Sequence, residues 1–115
     1  MTKTVDEVIM ILSKTFRKRF EDFQGMYLFG TFLDGKPHDG EDIELVALFE
    51  IEDQSKREEI WPLIGKIETD LDVCIDLYPY TKEEFRQDEE LYDEVMETGV
   101  FYNIAGLRDD KKAVK

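Results

Sequence analysis

The sequence is poor in the residues that most often carry chemistry by themselves, with one cysteine, one histidine and one tryptophan in 115 residues. A single cysteine, Cys74, excludes an intramolecular disulfide, and its place in the apolar-rich run Asp72 to Tyr78 predicts a small buried side chain rather than a redox centre. No window approaches the run of about twenty apolar residues that a membrane span needs. Met1-Thr2-Lys3-Thr4 opens into an amphipathic pattern instead of an apolar signal segment, so a cytoplasmic chain with no membrane partner is expected. Positive charge is also scarce: 15 Lys and Arg stand against 28 Asp and Glu, for a formal charge of −13. Affinity for a polyanion rests on counterions released by clustered cations, so no nucleic-acid partner is expected. A nucleotide is a different ligand, because a divalent cation can bridge its phosphates to protein carboxylates. Most of the acidic residues are expected on solvated faces.

What remains is enough for one core. A chain of 13.6 kDa has no length for a second domain. The reading is one domain over residues 1–106 and a polar C-terminal tail over 107–115, without repeats or low-complexity linkers. Val5, Val8, Ile9, Leu12, Phe16, Phe20 and Phe23 recur at helical spacing behind the capping box Thr4-x-x-Glu7, predicting a helix from about Val5 to Glu21. Lys14, Arg17, Lys18 and Arg19 fall in its second half, where they complement the helix dipole and need no partner. Met26 to Phe29 predicts a buried strand that ends in a turn at Gly30. The segment from Phe32 to Gly40 holds Gly35, Pro37 and Gly40 and cannot form a long regular element.

A second strand is predicted from Asp42 to Phe49, and residues two apart on it share a face, so Asp42 and Glu44 point together while Ile43 and Leu45 enter the core. Ser55-x-x-Glu58 signals a second helix with Ile60, Leu63, Ile64 and Ile67 as its stripe; Pro62 either kinks it or marks a start near Ile60. A third strand, Asp72 to Tyr78, carries Asp76 at mid-strand and ends at Pro79. Thr81-x-x-Glu84 then starts a helical region with Phe85, Tyr92, Val95 and Met96 inward, closed by Gly99, and Val100 to Ala105 is a candidate edge strand. Asp72 reads as a solvated turn residue, His38 as an exposed loop residue, and Trp61 as core. Tyr78 and Tyr80, at the end of the third strand, stand where they can pack near a nucleotide.

Gly30-Thr31, ten residues, then Asp42-x-Glu44 resembles the Gly-Ser, ten residues, Asp-x-Asp signature of the minimal nucleotidyltransferases in the DNA polymerase beta superfamily. Gly35 matches the second loop glycine of that signature, Glu41-Asp42-Ile43-Glu44-Leu45 resembles its carboxylate strand, and Ile75-Asp76-Leu77 resembles its third-carboxylate strand. The likeness spans roughly Val5 to Tyr102. It implies an α/β (α+β) nucleotidyltransferase fold, a small mixed β-sheet with helices packed mainly on one face. By resemblance, Asp42 and Glu44 would ligate two Mg2+ ions, Asp76 the one that activates the acceptor, and Gly30, Thr31 and Gly35 would cradle the triphosphate of ATP. Two metal ions about 4 Å apart suit a transfer that loads negative charge on the attacking oxygen, the phosphorus and the leaving pyrophosphate. Family members of this size often act as antitoxins that place AMP on a tyrosine of a HEPN-domain toxin encoded nearby, and the resemblance implies that role here.

The sequence departs from the signature at Thr31 for Ser, at Glu44 for the second Asp, and at Phe32 and Leu33 where the family often has Arg and Ala. Glu44 lengthens a ligand by one methylene, a displacement of order 1 Å that can cost about a hundredfold in a position-sensitive site. A second reading is therefore a catalytically impaired module that keeps the fold and binds a nucleotide or a partner protein. The acceptor, the base preference and the assembly of copies into a homo-oligomer are left open.

Overall fold

The computed structural model describes residues 4–30 and 42–108. Its elements run α1 (Val5–Arg19), β1 (Phe23–Phe29), β2 (Asp42–Phe49), α2 (Gln54–Leu71), β3 (Cys74–Tyr80), α3 (Lys82–Gln87), α4 (Glu89–Thr98) and β4 (Val100–Tyr102). The four strands form one mixed sheet in the order β3-β2-β1-β4, with β1 antiparallel to β2 and β4, and β2 parallel to β3.

Alternation along β2 sorts the sheet into two faces. Ile43, Leu45, Ala47 and Phe49 join Met26, Leu28, Ile75 and Leu77 beneath the two long helices, against Val8, Ile9, Leu12 and Phe16 of α1 and Ile60, Ile64 and Ile67 of α2. This is the larger core. The opposite face carries Tyr27, Phe29, Val46 and Leu48, covered in part by Phe85 of α3 and Val95 of α4. Within the larger core, Phe16, Phe20, Phe23 and Phe49 pack ring on ring, with centroids 5.5 to 6.0 Å apart. Each such pair adds about 0.5–1.5 kcal/mol beyond its buried area.

The helix starts follow short-range chemistry. At α1, the Thr4 hydroxyl accepts from the Glu7 amide while the Thr4 amide donates to the Glu7 carboxylate at 2.8 Å. α1 ends at Arg19, two residues before the expected Glu21. α2 starts at Asp53, whose carboxylate accepts from the Lys56 amide at 2.9 Å, so the Ser55-x-x-Glu58 signal is superseded. Pro62 neither starts α2 nor divides it, since the helix runs through it from Gln54 to Leu71. The prolyl interruption costs about 3 kcal/mol. Buried Ile60, Ile64 and Ile67 flank it, at about 1.5–3 kcal/mol each, and outweigh that cost.

Four other expectations change. Trp61, expected in the core, is 46% exposed beside Pro62 on the outer side of α2. Cys74, expected buried, is exposed at the first position of β3, because the inward positions of that strand are Ile75 and Leu77. β3 starts at Cys74 rather than at Asp72, which keeps the solvated turn role read for it and caps α2 in the left-handed conformation, at φ 56°. The single C-terminal helix is two, broken at Asp88, whose carboxylate accepts from the Tyr80 hydroxyl at 2.7 Å.

Pro79 does not end β3, which continues to Tyr80 as the outer strand of the sheet. The Ile75 amide donates to the Glu68 carboxylate at 2.8 Å, so amides of that parity turn away from β2. Pro79 shares the parity and therefore removes no ladder bond, and together with Glu68 it blunts the open edge. After β4, the Asn103 side-chain carbonyl accepts from the amides of Ala105 and Leu107, and Arg108 bridges back to Tyr102. Among the described residues no helix is long and apolar enough to cross a membrane.

Candidate functional site

β1 leaves the sheet at Gly30, and the same end of the sheet begins β2. Phe29 pairs with Glu44, and Glu44 pairs in turn with Asp76 on β3, while Asp42 pairs with Cys74. Residues in register share a face, so Asp42, Glu44, Cys74 and Asp76 form a polar patch on the face opposite the long helices. It is continuous with the aromatic residues Phe29, Tyr78, Tyr80 and Phe85, whose successive ring centroids lie 6.2, 6.5 and 6.4 Å apart.

Gly30 and Glu44 are fitted to each other. Gly30 has φ +84°, a left-handed conformation that only glycine adopts without strain. A Cβ at that position would stand 2.1 Å from Glu44 Oε2 and 2.9 Å from its Cδ. The glycine therefore gives the chain its turn and gives the carboxylate room against the backbone. Thr31, Gly35 and His38 lie outside the described residues.

Burial raises the Glu44 carboxyl above its ordinary value, and the negative charges of Glu94, Asp76 and Asp42 raise it further. Glu94 is a residue that motif spacing does not reveal. It arrives on α4, which closes over β1 because Gly99 lets the helix end approach: a Cβ there would stand 3.1 Å from the Leu28 carbonyl and 2.6 Å from that of Val95. The only sequence signal for it is its place beside Val95, the inward residue of α4 that packs with Phe29 and Val46.

The tyrosines on this face differ. The Tyr78 hydroxyl donates to Asp76 Oδ2 at 3.5 Å, the outer limit of a hydrogen bond, and burial followed by the charges of Asp76 and Glu44 pushes its phenol up. The Tyr80 phenol is pushed up to about 12, by burial first and then by its 2.7 Å bond to Asp88.

Hard cations such as Mg2+ take carboxylate oxygens, and Asp42, Glu44 and Asp76 present carboxylates on one face of the sheet. Burial first, and then the repulsion of the neighbouring carboxylates, disfavours the charged Glu44, and a bound cation would offset both, so the donors suit it in kind. Among the described residues no three Asp, Glu, His or Cys side chains are gathered closely enough to hold a metal ion as they stand. The register does bring Asp42, Glu44 and Asp76 onto one face at one end of the sheet, beside Gly30.

A sequence profile described as a nucleotidyltransferase domain matches residues 9–102. Comparison with curated proteins gave no match. Among solved structures, one of a mutant toxin-antitoxin pair, MntA with its toxin, carrying two Asp-to-Glu substitutions, is 26% identical at a TM-score of 0.61, covering 81% of this chain and 70% of that one. A toxin-antitoxin structure with AMP-PNP is 24% identical at 0.61, covering 93% and 78%. A Shewanella oneidensis complex of a tri-AMPylated HEPN toxin with its MNT antitoxin is 23% identical at 0.54, covering 83% and 69%. The last two support the fold.

Proposed function

The chain belongs to the nucleotidyltransferase domain family, and on that premise we propose that it is a metal-dependent enzyme that moves a nucleoside monophosphate, AMP from ATP, onto a hydroxyl of a partner protein. The observation that carries the reading is the placement of Glu44, with Asp42 on its own strand face, Asp76 in register on β3, and the carboxylate seated against the Gly30 turn. Asp42, Glu44 and Asp76 would hold two magnesium ions, which when bound supply neutralising charge to the reacting phosphate and the leaving pyrophosphate. The Gly30 backbone would approach the triphosphate from β1, with Thr31 and Gly35 following it in sequence. Asp76, on the outer strand, would face the incoming hydroxyl and take its proton. The acceptor would then enter from the β3 side.

The partner assigned is a HEPN-domain toxin encoded nearby, with this chain as its cytoplasmic antitoxin; the 26% identical relative, itself part of a toxin-antitoxin pair, supports that choice. A second reading, a nucleotide- or partner-binding module without turnover, draws on the longer Glu44 side chain and on the separation of the carboxylates as they stand. Calorimetric titration with ATP, with and without magnesium, separates the two. Magnesium-dependent binding that is lost in Asp76→Ala is expected for the enzyme. Binding indifferent to magnesium, or none, would leave only the module.

A further inference from the structure

Gly30, Glu44, Asp76 and the Tyr78 hydroxyl follow one another across the end of the sheet, from β1 through β2 to β3. In the function proposed above, the nucleotide lies at the Gly30 end of that row and the acceptor hydroxyl at the Asp76 end. The acceptor position is not empty of hydroxyls. Tyr78 lies two residues along β3 from Asp76, on the same face, and its Oη stands 3.5 Å from Asp76 Oδ2.

The other tyrosines of the chain are placed elsewhere. Tyr80 is held by Asp88 at 2.7 Å, and the Tyr102 hydroxyl donates to Asp6. Tyr27 lies buried beneath Phe85 and Phe101, and Tyr92 packs edge-on against Phe85. The Tyr78 ring is steadied by Phe29 at 6.2 Å and Tyr80 at 6.5 Å, and its hydroxyl faces Asp76. At 3.5 Å it is close to Asp76 without being locked to it.

We propose that Tyr78 is an intramolecular acceptor: when no partner hydroxyl occupies the site, the enzyme transfers AMP from ATP to its own Tyr78. The inference rests on the nucleotidyltransferase reading and extends it to a modification site on this chain. In the step, Tyr78 Oη attacks the α-phosphorus and forms the Oη–P bond. The bond from the α-phosphorus to the bridging oxygen breaks, and pyrophosphate leaves with that electron pair. The phenol proton passes to the Asp76 carboxylate and then to solvent. A tethered hydroxyl needs no second binding event, and such proximity can be worth effective concentrations on the order of 10⁵ M or more. The modified tyrosine would fill the acceptor position with a nucleotide and so block it.

The test is to incubate the wild-type protein alone with ATP and magnesium, measure its intact mass, and locate any adduct by tandem mass spectrometry, with calorimetric titration of the same protein by ATP and magnesium alongside. One AMP on Tyr78 is expected, lost in Tyr78→Phe and in Asp76→Asn, with a fractional rate that does not change with protein concentration. Circular dichroism of both variants checks that they fold. Magnesium-dependent ATP binding with Tyr78 unmodified would overturn the self-modification and leave the proposed function standing. An adduct on another residue, or a rate proportional to protein concentration, would also overturn it. Failure of ATP to bind in magnesium would remove both the proposed function and this inference.

Discussion

Gly30→Ala separates what the turn does for the fold from what it does for the site. Alanine must adopt φ +84° in place of glycine, a left-handed conformation that costs roughly 1–2 kcal/mol. That is a minor part of the roughly 5–15 kcal/mol by which such domains are stable, and it lowers Tm by roughly 4–8 °C. The new methyl would stand 2.1 Å from Glu44 Oε2, whereas ordinary contact begins at 3.4 Å, so the carboxylate must move by at least 1.3 Å, the difference of the two. Glu44 sits at the end of a flexible side chain and can yield, so the fold survives. A ligand displaced by more than about 1 Å costs on the order of a hundredfold in a position-sensitive site. Thermal melts paired with calorimetry in ATP and magnesium should show a small loss of stability and a loss of affinity on the order of a hundredfold. Unchanged affinity at the lower Tm would refute the idea that the Gly30–Glu44 fit serves a ligand.

Four further outcomes follow from the packing and the charges. Phe16→Ala removes a fully buried ring that meets Phe20, Phe23 and Phe49, and should cost about 3–5 kcal/mol in denaturant unfolding. The Lys56 ammonium donates to Asp22 and to the Ile51 carbonyl and lies 4.6 Å from the Phe49 ring centroid; Lys56→Met should cost about 1.5–3 kcal/mol by leaving Asp22 without its charged partner. For Asp22, burial alone would raise the carboxyl, but the Lys56 and Ile51 hydrogen bonds and the Lys56 charge bring it below 3.8. Its stabilisation is thus full above pH 3.8 and is lost as pH falls through the lower folded value, a loss that melts of the wild type should show and Lys56→Met should lack. Glu94→Gln acts in the other direction. The folded Glu44 carboxyl is raised, so its ionised form penalises the fold at neutral pH, and removing the Glu94 charge should raise Tm without divalent ions at pH 7, a gain that fades as pH falls through the carboxylate range.

Much of this architecture is legible in the sequence because short-range patterns carry it. The Thr4-x-x-Glu7 box and the 3.6-residue stripe fix α1, and the alternation Asp42, Ile43, Glu44, Leu45 tells which face of β2 is wet. The register that sets Glu44 beside Asp76 is long-range, yet the resemblance to minimal nucleotidyltransferases anticipates that these residues belong together. Other features depend on neighbours distant in sequence. Pro62 is tolerated because three isoleucines on the same helix find a core to enter, and Pro79 because its amide side faces outward from an edge strand. Cys74 and Trp61 look apolar in sequence, but their positions on β3 and α2 point away from the isoleucines that are buried. Asp88, at the helix break, is bonded by a hydroxyl eight residues earlier, and the Glu94 charge acts on Glu44 only once α4 lies over β1. No spacing rule carries either one.

The central claim is that the group transferred is the nucleotidyl moiety, and it is tested most directly by following two labels of ATP in parallel. With magnesium and the proposed HEPN-domain partner as acceptor, label at the α-phosphate should pass to protein while label at the γ-phosphate should leave as pyrophosphate, and Asp42→Ala should abolish the transfer. Transfer of the γ label, or α-label transfer that Asp42→Ala leaves intact, would contradict the account.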